Sequence, residues 1–241
     1  MATRARLLVL LVLTASFMSS TTLSQPTTSS QSGATRYVSI TDPTCGGHAP
    51  CYRTIQAAVT AALAGETVLI QTGTYIEQVS IQRKNDSSTA TEAHRIVIAA
   101  DPSAPPGSVV LHGAEAECSD GHAIRFQRSK FVSVRGLTIT GAGGPAISLM
   151  GGNNQNQAIH LERLRIFGNG SSECNDGVTI ARGNPGTLVI NSLIYGNGRN
   201  GIATIDADGG PHYLVNNTIY ANGWSGVSVT RNHDALLVNN A

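Results

Sequence analysis

Charged and aromatic residues are scarce in this chain. Asp, Glu, Lys and Arg make up 13% of its 241 residues and Phe, Tyr and Trp 5%, with a formal net charge of +1. No basic patch interleaved with aromatics is present, which excludes a nucleic-acid surface. No zinc spacing, phosphate loop or Gly-x-Ser-x-Gly elbow occurs, so those chemistries have no support. The one strongly apolar run, Leu7 to Leu13, is too short to span a bilayer. It follows Arg4 and Arg6 and precedes small residues, the pattern of a removable signal peptide over residues 1–24. A Ser/Thr/Gln-rich leader without periodicity, residues 25–35, comes next. The expectation is an exported protein, secreted, periplasmic or at the cell surface, with no membrane association after signal removal.

Glycine and asparagine are abundant instead, and they recur with a period. Ile190-Asn191-Ser192-Leu193-Ile194-Tyr195-Gly196-Asn197-Gly198 returns 25 residues later as Val215-Asn216-Asn217-Thr218-Ile219-Tyr220-Ala221-Asn222-Gly223, and Val238-Asn239-Asn240 opens a third copy. Such a period marks a solenoid. Its segments alternate β-branched residues and are joined by Asn and Gly turns, so each repeat is a coil of short strands and the coils stack in parallel register. Asn191, Asn216 and Asn239 then share one corner, either as an amide ladder between coils or simply as turn residues. Ile124, Ile147, Val178, Ile202 and Val227 align in one column, and Phe126, Leu149, Ile180, Thr204 and Val229 in a second, both pointing inward. The intervals along the first column are 23, 31, 24 and 25 residues, so one coil carries an enlarged loop through Cys174. The β-helix domain is expected over residues 36–241. Tyr37–Ile40 reads as its first strand, and Thr54 as the cap of a helix from Ile55 to Ala64 that seals the N-terminal end through Ile55, Val59 and Ala62. The C-terminal coil has no such cap, which predicts an open or truncated end and end-to-end contact through it.

Four cysteines in an exported chain predict two disulfides, Cys45–Cys51 and Cys118–Cys174. The second pair is two coils, about 9.6 Å, apart and needs the enlarged loop to fold back.

Tyr37-Val38-Ser39, Tyr52-Arg53-Thr54-Ile55-Gln56-Ala57-Ala58-Val59, Gly65-Glu66-Thr67-Val68 and Gly73-Thr74-Tyr75-Ile76-Glu77 resemble the opening of the pectate-lyase-like proteins of the pectin lyase fold. Arg95-Ile96-Val97-Ile98-Ala99-Ala100, Val110-Leu111-His112-Gly113 and Val134-Arg135-Gly136-Leu137-Thr138-Ile139 extend the resemblance. It implies an all-β fold, a right-handed parallel β-helix with a short N-terminal capping helix. Two functions follow from it. One is a polysaccharide lyase acting on an acidic polymer, using calcium on acidic residues and an Arg or Lys as base. The other is a non-catalytic carbohydrate-binding or cell-surface module on the same scaffold.

The candidate site lies four residues beyond each first inward position, at Arg128, Arg182, Asp206 and Arg231. A buried unpaired arginine is too costly, so the strand must have bent outward there. Arg182 and Arg231 are the catalytic candidates, with guanidinium groups suited to a substrate carboxylate. Arg128, Asp176 and His233 are candidates for substrate binding. Asp206, Asp208 and Asp234 are candidates for holding calcium. A surface ion-pair ladder accounts for the same alternation of charge.

Overall fold

The computed structural model describes residues 33–116, 121–152, 155–170, 176–205, 210–230 and 235–241. Strand β1 (Thr35–Val38) pairs in parallel with the short β2 (Cys51–Tyr52), and helix α1 (Ile55–Ala61) follows. Six coils of three strands come next. They are β3 (Thr67–Ile70), β4 (Gly73–Ile76) and β5 (Val79–Gln82); then β6 (Ile96–Ala100), β7 (Val109–His112) and β8 (Ile124–Gln127). The third and fourth are β9 (Lys130–Arg135), β10 (Thr138–Thr140) and β11 (Ile147–Leu149), and β12 (Gln157–Glu162), β13 (Arg165–Phe167) and β14 (Val178–Ile180). The last two are β15 (Leu188–Ile190), β16 (Leu193–Tyr195) and β17 (Asn200–Ile205), and β18 (His212–Val215), β19 (Thr218–Tyr220) and β20 (Ser225–Thr230). Strand β21 (Ala235–Val238) adds to the first sheet. Every pairing is parallel to the equivalent strand of the next coil, giving one nine-stranded and two six-stranded sheets. This is a parallel β-helix. No helix among the described residues is long and apolar enough to cross a membrane.

Strand alternation sends one column of each sheet inward. The first sheet contributes Val68, Ile98, Val134, Leu161, Val189 and Leu214; the second contributes Tyr75, Leu111, Ile139, Ile166 and Ile194. The two columns expected on the third sheet pair in the expected register, Ile124 with Ile147, Val178, Ile202 and Val227. Val229 departs from the expectation: it is 43% exposed, because β20 is the edge strand of the third sheet and no described strand pairs beyond it.

Each corner carries a polar ladder, and here the structure decides what the repeat left open. Asn191, Asn216 and Asn239 are turn residues with φ near +52°, a left-handed conformation that Asn tolerates. The ladder runs through the next residue of each turn. Asn217 Oδ1 accepts from Ser192 N at 3.0 Å, and Asn217 Nδ2 donates to Asn240 Oδ1 at 3.0 Å. Asn169, Asn197 and Asn222 form a second ladder between the second and third sheets, and Ser129, Asn156 and Asn184 a third between the third and first. These side chains bond the backbone where the strand ladder is interrupted.

Thr54 caps α1 as expected, its hydroxyl accepting from Ala57 N at 3.1 Å, and Ile55, Ala58, Val59 and Ala62 are buried. The helix ends at Ala61, shorter than expected, because Ala62 turns extended and Lys84 Nζ donates to the carbonyls of Thr60 and Ala62 at the helix end. The first strand likewise spans Thr35–Val38 rather than Tyr37–Ile40, its register set by pairing with Thr67–Ile70. Glu77 accepts from Ile55 N at 2.8 Å and Gln56 N at 2.9 Å, an anion at the helix N-terminus. The Gln56 amide in turn accepts from Ser80 N and donates to Ser80 O. It thereby stands in for a strand at the open edge of the third sheet.

Candidate functional site

The corner between the first and second sheets is built from two-residue turns. Their first residues, Gly136, Arg163, Asn191 and Asn216, all have φ between +51° and +70°. Gly and Asn suit that conformation, whereas arginine there costs about 1–2 kcal/mol. Their second residues, Leu137, Leu164, Ser192 and Asn217, are buried. The coil between β6 and β7 has a longer loop, 101–108, which rises as a wall. The result is a groove of about 810 Å³ along the solenoid axis, lined by Asp101, Pro105, Arg135, Arg163, Arg165 and Asn191 among others. It crosses five coils, roughly 19 Å at the spacing of parallel strands.

Its charge is unbalanced. Asp101 is the one carboxylate in the lining, and its Oδ1 already accepts from Ser103 N at 2.8 Å and Ser103 Oγ at 2.6 Å. Arg135 is paired with Glu162, Nε to Oε2 at 3.1 Å. Arg163 and Arg165, both exposed, have no carboxylate partner among the described residues. Arg165 donates from Nε and Nη2 to Tyr195 Oη, at 3.0 and 2.6 Å, and its guanidinium lies over the rings of Phe167 and Tyr195. Phe167, Tyr195 and Tyr220 stack 5.1 Å apart on successive coils of the second sheet. Phe167 and Tyr195 turn their faces to each other, so the stack serves to hold Arg165 rather than to offer a ring face.

The family model for the right-handed beta helix region matches residues 105–241, more than half of the sequence. The chain belongs to this right-handed β-helix family. Among solved structures it is similar to pectate lyase Pel9A, with 15% identity, a TM-score of 0.53, and coverage of 80% of this chain and 55% of that one. A pectin methylesterase solved with hexasaccharide VII gives 16% identity, a TM-score of 0.50, and coverage of 76% and 54%. At such identity the likeness is one of fold. The chain spans about half the length of these two structures. No curated protein sequence matches it.

Behind the β-helix groove, on the outer face of the first sheet, lies a chain of charges. Arg95 pairs with Glu92, donates from Nη1 to Ser133 Oγ at 3.2 Å, and places Nη2 3.3 Å from His160 Nε2. Arginine only donates, so His160 Nε2 accepts and Nδ1 carries the hydrogen, 3.7 Å from Glu162 Oε1. His160 has its basic nitrogen occupied and serves as a link between Arg95 and the Glu162–Arg135 pair. Burial, and then the neighbouring Arg95 guanidinium, push its pKa below the ordinary value of 6.5. The folded state therefore holds His160 neutral while the unfolded chain takes up a proton. This contribution is fully present above about pH 6.5 and is lost as the pH falls through the lowered folded pKa. Glu92, lowered by its bond to Arg95, acts only further into acid. Urea titrations across this range should show the parent weakening below about pH 6.5 and His160→Gln weakening less. Identical pH profiles would contradict this account of His160.

Of the residues singled out from the sequence, the described ones fall outside this groove. Arg182 is exposed just past the end of β14, in the bend. Arg128, at φ +50°, is paired with Asp86 at 3.0 Å. Asp176, expected to contact substrate, is instead buried: Oδ1 accepts from Asn200 N and Nδ2, and Oδ2 from Thr179 Oγ1. Its carboxylate is committed to joining two coils. Asp206, Asp208, Arg231, His233 and Asp234 lie outside the described residues, as do Cys118 and Cys174. Among the described residues no three His, Cys, Asp or Glu side chains come together to hold a metal ion. Cys45 and Cys51 form the expected disulfide, with α-carbons 5.7 Å apart.

The groove is hidden in the sequence because its arginines follow different residues in different coils. Arg135 pairs in register with Glu162, not with Arg163. The signal for it is the shared leucine of Arg135-Gly136-Leu137 and Glu162-Arg163-Leu164, which sets Arg163 level with Gly136.

Proposed function

We propose that this β-helix binds an acidic polysaccharide along the groove between its first and second sheets. The observation that carries the reading is the pair Arg163 and Arg165, two guanidinium groups without carboxylate partners among the described residues, on one turn of an axial groove. Their planar donor forks match the carboxylates of a uronate polymer. The strained backbone at Arg163, where the neighbouring coils place Gly136 and Asn191, adds to it, since strain is retained where function requires it. The two solved relatives are named for pectate and pectin, polymers of this acidic class. Export, read from residues 1–24, belongs to the same proposal.

Replacing Arg163 by Asn separates binding from folding. The variant should weaken binding of polygalacturonate about tenfold, the 1.4 kcal/mol of one charge-assisted contact, and should raise unfolding stability by about 1 kcal/mol by relieving the left-handed arginine. Calorimetric titration and urea unfolding of the same samples read the two effects. Undiminished affinity in both Arg163→Asn and Arg165→Ala would remove the groove as the site. Absorbance of unsaturated uronates in these titrations, with and without calcium, tests lyase activity, for which Arg182, Arg231 and the aspartates Asp206, Asp208 and Asp234 are the residues to vary.

A further inference from the structure

On the far side of the loop 101–108, toward the N-terminal cap, the same corner holds a second pocket of about 280 Å³. It is lined by Ser39, Thr41, Asp42, Gln71, Asp101 and Ser103 among others. Its floor is the two-residue turn Gln71–Thr72 between β3 and β4. Strand β3 lies between β1 and β6, and longer segments, 39–50 and 101–108, follow those two strands and wall the pocket at both ends along the axis. The first wall is closed by the Cys45–Cys51 disulfide and tied to the floor, where Gln71 Nε2 donates to Cys45 O at 3.0 Å. Asp101 and Ala104 line the pocket and the groove alike, so the two share a rim.

The sign of the charge reverses at that rim. The groove carries Arg135, Arg163 and Arg165, whereas the pocket lining has two carboxylates, Asp42 and Asp101, and no Lys or Arg. Asp42 accepts from Thr44 Oγ1 and Thr44 N at 2.7 and 2.8 Å and from Gly46 N at 2.6 Å. The Thr44 hydroxyl first, and then these backbone groups, hold its pKa below the ordinary carboxylate value. Asp101 uses Oδ1 for Ser103, which leaves Oδ2 without a partner among the described residues. Ser39, 1% exposed, accepts from Asp42 N at 3.1 Å and has no described acceptor for its own hydroxyl hydrogen. A sugar carboxylate in this pocket meets like charge on two sides. A sugar bearing only hydroxyls can donate to Asp101 Oδ2 and accept from Ser39. An ammonium group is a poorer match, because it needs three acceptors and protein donors already occupy much of both carboxylates. We propose that the pocket takes an uncharged sugar unit of the same polymer whose uronates lie in the groove, and that Asp42 and Asp101 reject a uronate there. Rejection of the wrong unit sets specificity as much as attraction of the right one. The ligand is then a mixed chain of uronates and neutral hexoses, a refinement that rests on the groove reading.

Calorimetry with two oligomers of equal length tests it, one all galacturonate and one alternating galacturonate with a neutral hexose. Asp101→Asn keeps the acceptor for Ser103 but removes the charge and turns the free oxygen into a donor. It should tighten the galacturonate oligomer about tenfold and weaken the alternating one about threefold, opposite signs that a general loss of structure cannot produce. Asp42→Asn should shift both in the same directions, with circular dichroism to establish that each variant is folded. Arg163→Asn should weaken both oligomers. Shifts of one sign for the two oligomers, or no shift in either Asp variant, while Arg163→Asn still weakens binding, would overturn the pocket and leave the groove standing. Tighter binding of an oligomer with hexosamine in place of the neutral sugar would assign the carboxylates to an ammonium and overturn the proposal too. Undiminished affinity of both oligomers in Arg163→Asn and Arg165→Ala removes the groove reading and this one with it.

Discussion

Replacing Asn169 by leucine is expected to lower the free energy of unfolding by about 3–5 kcal/mol, although the two side chains are similar in size. Asn169 is fully buried at the corner between the second and third sheets. Its Oδ1 accepts from Ala142 N at 3.1 Å, and its Nδ2 donates to Ile139 O, Phe167 O and Asn197 Oδ1 at 3.2, 3.0 and 3.0 Å. Leucine restores none of these, and the Ala142 N–H and the Ile139 carbonyl are left in a dry interior. Each abandoned group costs about 1–3 kcal/mol, more than a leucine recovers by apolar burial at a site already shielded from water. Urea unfolding with an unchanged slope gives the number directly. A loss below about 1 kcal/mol would mean that the ladder follows the fold without supporting it.

Phe126→Ala should cost a similar amount, about 3–5 kcal/mol, for a different reason. Phe126 lies in an inward column between Ile81 on one coil and Leu149 on the next, and none of its surface is exposed. The parallel ladders on either side hold those coils at a fixed spacing, so the walls cannot collapse into the space an alanine leaves. The lost transfer energy and the cavity therefore add. Phe126→Leu, which fills most of the volume, should cost less than about 1.5 kcal/mol. Equal losses for the two variants would show that the aromatic ring, rather than filled volume, is what the column requires.

These two positions differ in how they can be read from the chain. Alternation alone sends Phe126 inward, because a strand places every second residue on one side and the turn residues set the phase. The same local rules gave the parallel solenoid, the Thr54 helix cap, the register of Ile124 through Val227, and the Cys45–Cys51 bond. Asn169 could not be assigned its bonds in this way. The repeat pointed to Asn191, Asn216 and Asn239, but a left-handed residue turns its side chain away from the coil axis, and the buried rungs belong to the residue that follows. The groove was further out of reach. Arg135, Arg163 and Arg165 look alike in the sequence, and only the packing of adjacent coils gives Glu162 to the first and leaves the other two without a carboxylate among the described residues. Asp176 met the reverse fate, a charged residue in an enlarged loop that the next coil draws inward through Asn200. Side-chain period and turn chemistry act over a few neighbouring residues, and so the sequence by itself determined which residues share a column. Whether a charge is compensated depends on a partner some 25 residues away at bonding distance, and only the tertiary structure decided that.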